Sequence, residues 1–171
     1  DELDRQKGEL SWNDLEDMLS GFAYDAYCNH SAQSEKNYFL VWDYAINQGF
    51  AFGSGMGTNH HYGYQVRKIY TTAWLMRDAI WRAPNRNNIL STLIFWSALQ
   101  ETRIPFQYGR DELLDSWHTL LMAKTVSALL FVDERERARA LTGLSRWLSG
   151  SLQYSPGTIG GIKVDGTTFH H

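Results

Sequence analysis

The densest run of reactive side chains is Asn59-His60-His61-Tyr62-Gly63-Tyr64, followed within six residues by Arg67, Lys68 and Tyr70. It closes the stretch 49–63, GFAFGSGMGTNHHYG, in which five of fifteen residues are glycine. Backbone of that composition reaches conformations closed to other residues and predicts a loop. An imidazole and a phenol in one cleft make an acid–base pair, an imidazole base beside a phenol that can give or take a proton. His61 and Tyr70 are nine residues apart. On one continuous helix that is about 900°, which puts them on opposite faces. They can share a cleft only if His61 sits off the helix, in the glycine loop. The competing reading of the same residues is a hydrogen-bonded loop with aromatic packing.

Other clusters carry less. Asp111, Glu112 and Asp115 offer the paired carboxylates of a glycoside hydrolase, but their place at the start of a helix suits capping. Adjacent His60 and His61 do not present two metal ligands as a His-x3-His helix does. His118, beside Trp117, reads as a core or groove histidine. His170-His171 follow an Asp-Gly turn signal and read as part of a native loop. Asp133-Glu134-Arg135-Glu136-Arg137 reads as a solvated helix start, with acids near the positive end of the dipole. Most of the seven Trp fall at helical apolar spacing, which predicts core packing, with one or two free to stack on a sugar.

The elements that must position these groups are helical. Ser11-Trp12-Asn13-Asp14 is a capping box opening a helix to about residue 27, which Asn29-His30-Ser31 breaks. A second helix covers about 34–48 and ends at Gly49. A third runs over about 64–82, with Val66, Ile69, Ala73, Met76 and Ile80 stepping by three and four, and Pro84 stops it. A fourth spans about 88–101 with Ile89, Leu93, Trp96 and Leu99 on one stripe. The fifth and sixth span about 112–132 and 134–152. The tail from 155 is loop with a short strand expected at 162–164. The fold class is therefore all-α, and short connections favour antiparallel neighbours; an ordinary bundle and a piece of a helical toroid built from hairpins both fit the pattern.

The chain has 171 residues, 43% hydrophobic and 14% aromatic, enough for one domain with a sizeable core and too aromatic for disorder. No apolar run reaches membrane-spanning length. Sixteen basic against nineteen acidic residues give a net charge of -3, without the basic cluster of a nucleic-acid domain. Cys28 stands alone, so no internal disulfide forms and the compartment stays open. The first residues are no signal peptide.

Three segments carry a resemblance: GSGMGTNHHYGYQVRKIY, YGRDELLDSWHTLLMAK and LSRWLSGSLQYSPGTIGGIKVDGTTFHH. Over about residues 45–171 they resemble the catalytic helical domain of chondroitin ABC lyases, relatives of hyaluronate and chondroitin AC lyases. The resemblance implies that residues 1–171 are part of one helical catalytic domain. It would be a portion of an (α/α) toroid, truncated at its C-terminal end and without the family's β-sandwich domains. It implies β-elimination at the uronic acid of chondroitin sulfate, dermatan sulfate or hyaluronan, in a periplasmic or secreted setting. The family's catalytic set is His, Tyr, Arg and Glu. His61 and Tyr70 match the first two. The region of the Arg reads Leu120-Leu121-Met122-Ala123-Lys124, so Lys124 keeps the charge without the bidentate fork, and Arg110 is a rival. The Glu is expected beyond His171. Substrate contacts are expected from Asn59, His60, Tyr64, Arg110, His170 and His171.

The chemistry explains the residue types. The C5 proton of a uronate is weakly acidic, so its removal needs a cation or amide donor on the neighbouring carboxylate. No residue reads as a metal ligand and no cofactor is certain from the sequence; a divalent cation, calcium or magnesium, is left open. Expected partners are the acidic polysaccharide and missing parts of the parent chain, or self-association over exposed apolar faces. Neither nucleic acid nor membrane is expected. A non-catalytic helical carbohydrate-binding or structural module is the alternative function.

Overall fold

The computed structural model describes residues 12–47, 67–103 and 116–152. Among them are seven α-helices and no strand: α1 Trp12–Asn29, α2 Ala32–Asn47, α3 Arg67–Leu75, α4 Arg77–Arg82, α5 Arg86–Arg103, α6 Ser116–Leu129 and α7 Glu134–Leu152. The all-α expectation holds. The glycine loop at 49–63 and the strand expected at 162–164 lie outside the described residues.

The α1–α2 link is two residues long, and its chemistry is local. Asp25 accepts hydrogen bonds from the Asn29 amide at 2.7 Å and from the Ser34 hydroxyl. The Ser34 N–H donates to the Ser31 hydroxyl at 3.2 Å, which caps the first turn of α2. These donors, Ser34 first, hold the Asp25 carboxyl below its ordinary range. His30 turns the chain with φ 53°, in the left-handed region. A glycine is the usual residue there, because a Cβ crowds the carbonyl.

The third predicted helix divides. α3 and α4 meet at Met76, whose backbone sits at φ -91°, ψ 11°. Hydrogen bonds still cross the junction, from Met76 N–H to Thr72 O at 2.9 Å and from Ile80 N–H to Met76 O at 2.8 Å. The hydroxyls of Thr71 and Thr72 donate to the carbonyls of Arg67 and Ile69. Such side-chain competition for helix carbonyls bends helices. α4 ends as expected before Pro84, with Ala83 extended at φ -69°, ψ 141°. The acidic start of α7 is a true cap: Asp133 Oδ1 accepts from the N–H groups of Arg135 and Glu136, both at 2.9 Å.

Helix α1 packs on α2 and α3, α6 packs on α3, α5 and α7, and α2 also meets α5. The core they enclose takes Leu15, Leu19 and Ala23 from α1 and Tyr38, Val41 and Trp42 from α2. Ile69, Tyr70 and Ala73 come from α3, and Ile89, Leu93 and Trp96 from α5. Trp42 and Trp96 stack at 5.7 Å between centroids, 23° between planes. The tryptophan expectation therefore holds for these two. Trp81 is half-buried and donates its indole N–H to Leu130 O at 2.9 Å, closing the C-terminal end of α6. Exposed large apolar side chains include Tyr24, Tyr27 and Leu40 on the α1–α2 pair and Trp74, Ile94 and Phe95 elsewhere.

The strained link gives a direct test. His30→Gly is expected to raise stability by up to about 1 kcal/mol, and His30→Val to lower it by about as much. Urea unfolding midpoints at equal slope check this; equal midpoints for the two variants would contradict the reading.

Candidate active site

Only two residues of the predicted site fall among those described, Tyr70 and Lys124. Asn59, His60, His61, Tyr64, Arg110, His170 and His171 lie outside them.

The structure gives Tyr70 an interior setting. Its side chain is 0% exposed and lies in the core. Its hydroxyl donates to the backbone carbonyl of Leu93 on α5 at 2.5 Å. Ser127 of α6 donates to the same carbonyl at 3.4 Å. Burial pushes the Tyr70 phenol far above its ordinary value, against the smaller opposing effect of its hydrogen bonds. Burial keeps the phenol protonated, which disfavours it as a base. A phenol whose proton is committed to an interior carbonyl is no donor to a polysaccharide. The sequence held the signal: Tyr70 stands four after Val66 and three before Ala73, on the apolar stripe of its own helix.

Lys124 is half-buried on α6, with Nζ 5.3 Å from the centroid of the Trp147 ring on α7. It borders a cavity of about 380 Å³ between α5, α6 and α7, lined also by Ser97, Ser127, Phe131 and Leu144. Ser127 thus stands in the cavity wall, and its hydroxyl shares the Leu93 carbonyl with Tyr70. The structure brings Lys124 and Tyr70 to two sides of that wall and does not put both into one cleft. Lys124 therefore faces an aromatic ring, an interaction worth about 0.5–2 kcal/mol. A larger cavity, about 790 Å³, opens where α5 begins and α6 gives way to α7, between Arg86, Leu90, Val132 and Arg135. No predicted site residue lines it. Among the described residues no three His, Cys, Asp or Glu side chains gather as a metal-ligand group.

Sequence reasoning missed one ionisable group. Glu16 of α1 is 5% exposed, and its Oε1 accepts from the backbone N–H of Lys68 at 3.3 Å. Desolvation pushes its carboxyl up to about 7, against the lowering effect of the Lys68 N–H and the Lys68 and Arg67 charges. Next to it, Asp17 Oδ1 holds Lys68 Nζ at 2.6 Å. The clue was a carboxylate at helical spacing from Leu19 and Ala23, inside the core stripe of α1.

A family model described as "Lyase, catalytic" matches residues 1–171. The chain is 32% identical over 152 residues to a chondroitin sulfate ABC exolyase of Bacteroides thetaiotaomicron, covering 85% of this chain and 15% of that protein. It is 30% identical over 142 residues to a chondroitin sulfate ABC endolyase of Proteus vulgaris, covering 82% and 14%. A chondroitin sulfate ABC exolyase of Proteus vulgaris is 30% identical over 141 residues, covering 80% and 14%. The chain thus spans about one seventh of the length of these relatives. No solved structure matches it.

Tyr70→Phe is expected to remove one buried hydrogen bond and cost about 1–2 kcal/mol of stability. Turnover measured well below the melting temperature should stay within about threefold, since the barrier is untouched. A hundredfold loss of turnover with the fold intact would return the phenol to the chemistry.

Proposed function

The chain belongs to the catalytic lyase family, and from that membership we propose that it forms part of an enzyme that cleaves uronate-containing glycosaminoglycans by β-elimination. The substrate class is chondroitin or dermatan sulfate, or hyaluronan. The observation that carries this reading is the family match over all 171 residues, joined to similarity with three chondroitin sulfate ABC lyases. A periplasmic or secreted setting goes with a substrate of this kind. The helices are taken as part of an (α/α) toroid; the two-residue link between α1 and α2 supports that hairpin construction.

In the reaction a base removes the C5 proton of the uronate. The electron pair left on C5 forms the C4–C5 double bond, the C4–O bond breaks, and the bridging oxygen takes a proton. The products are a 4,5-unsaturated uronate end and a new reducing end. His61 is the proposed base, since a neutral imidazole has the proton affinity for this step at neutral pH. Asn59 and His60 beside it are suited to hold the carboxylate and the charge that develops on it. Tyr70 takes no part. The proton for the bridging oxygen comes from the imidazolium or from a group outside the described residues.

His61→Ala in the full-length parent is expected to lower kcat on chondroitin sulfate by about a hundredfold or more, followed by the ultraviolet absorbance of the unsaturated product. Binding of the polysaccharide should persist. An undiminished rate would remove His61 from the role of base. Tight binding by the unaltered parent with no unsaturated product on any uronate polysaccharide would favour a non-catalytic carbohydrate-binding module.

A further inference from the structure

We propose that the cavity between α5, α6 and α7 is a binding site for a small carboxylate carried on an apolar ring. Such a ligand takes no part in β-elimination, so the site stands apart from the proposed lyase function. The cavity holds about 380 Å³. Sites for small molecules usually hold about 300–1,000 Å³. The space exists because α7 packs on α6 and stands off from α5. Short side chains on all three helices, Ala98, Ala128 and Ala140, leave it unfilled.

The lining selects the ligand. Most of it is apolar carbon, from Ile94 of α5, Leu144 and Trp147 of α7 and Phe131 between α6 and α7. Among the described residues that line it, the charged one is Lys124. Ser97 and Ser127 complete the polar part of the wall, 5% and 6% exposed. The Ser127 hydroxyl gives its proton to Leu93 O at 3.4 Å. The Lys124 ammonium and the Ser97 hydroxyl are then the donors the wall offers an anion. A cleft with charge of one sign and walls of low dielectric concentrates ions of the other sign. The walls also set the body of the ligand. Sugar hydroxyls would lose their water against apolar carbon without finding partners there. An apolar ring gains by leaving water. The larger cavity at the start of α5 shares Ile94 and Phe131 with this one. It carries Arg86 and Arg135 beside Asp133 and Glu136, and charges of both signs select no ion.

The cation is already placed, with Lys124 Nζ 5.3 Å from the centroid of the Trp147 ring. A charge placed before the ligand arrives need not be ordered on binding, and such ordering is one of the costs of association. The Trp147 indole in the same wall can take a second ring at its edge or face. On the Ser127 side the wall leads to the Leu93 carbonyl, which also receives the Tyr70 hydroxyl. A ligand in the cavity therefore rests beside the point where α3, α5 and α6 are joined, and its binding stabilises the fold by mass action. Gly143 of α7 gives a means of closing the cavity. It stands in the lining, and no atom of another helix lies within 4 Å of where its side chain would begin. A leucine there enters open space and replaces a poor helix former with a good one.

The experiment titrates the full-length parent by calorimetry with phenylacetate, with its neutral amide phenylacetamide, and with glucuronate. The expected result is saturable binding of phenylacetate with a dissociation constant of about 1 mM or tighter. The amide and glucuronate should each bind at least about tenfold more weakly. Lys124→Met keeps an apolar chain beside the Trp147 ring and removes the charge, and should weaken phenylacetate by at least about tenfold. Gly143→Leu should abolish the binding while the melting temperature holds or rises. Absence of saturable phenylacetate binding overturns the proposal. So does an amide bound as tightly as the carboxylate, a comparison that needs no variant and does not depend on how Lys124→Met folds. Phenylacetate binding that survives Gly143→Leu puts the ligand elsewhere and overturns the site. Glucuronate bound more tightly than phenylacetate overturns the apolar ligand in favour of a uronate sugar.

Discussion

One buried carbonyl organises the described structure. Leu93 O, on α5, receives the hydroxyl of Tyr70 from α3 and that of Ser127 from α6. It is already a helix carbonyl, so the two side chains use its remaining acceptor capacity. In an interior of low dielectric such a bond is stronger than in water, and a polar group left unpaired there is costly. The three helices are therefore joined at a point where apolar packing by Ile69, Ile89 and Ala123 would join them without direction. The same bond sets the limits on function. It commits the Tyr70 proton to the interior and leaves acid–base work to side chains elsewhere.

The outer layers follow from this centre. α6 lies against α3 and α5 on one side and carries α7 on the other. Lys124 and Trp147 face each other across the α6–α7 contact, and Trp81 ties α4 to the end of α6. At the opposite side α1 reaches the start of the described part of α3 through Glu16 and Asp17. Direction in this fold thus comes from a few polar contacts set among many apolar ones. The Trp81 and Lys68 contacts sit at helix ends, and the one at Leu93 lies within its helix.

Much of this was legible in the sequence, and the failures have physical causes. The steps Ile69–Ala73–Met76–Ile80 and Ile89–Leu93–Trp96 give helices and buried faces correctly, because burial needs only a repeating stripe. The break at His30-Ser31 and the stop at Pro84 are local backbone chemistry and are equally plain. The bend at Met76 is not, since it depends on the hydroxyls of Thr71 and Thr72 turning back on their own helix. Tyr70 was read by its chemical type and not by its position, although it sits on the same stripe as Ala73. Glu16 was passed over for the opposite reason: carboxylates are ordinary on helix surfaces, and only the approach of a residue 52 positions away shows that this one is buried. Of the candidate site, Lys124 is placed against Trp147, and the loop residues from Asn59 to Tyr64 lie outside the described residues.

The central claim is that the Tyr70 phenol is a structural group locked to an interior carbonyl. Fluorotyrosine placed at position 70 of the full-length parent, followed by fluorine NMR, tests it most directly. The account predicts a single resonance that does not titrate up to the ordinary tyrosine range and does not move when chondroitin oligosaccharide is added. A resonance that titrates near neutral pH, or shifts as the oligosaccharide saturates the site, would contradict it.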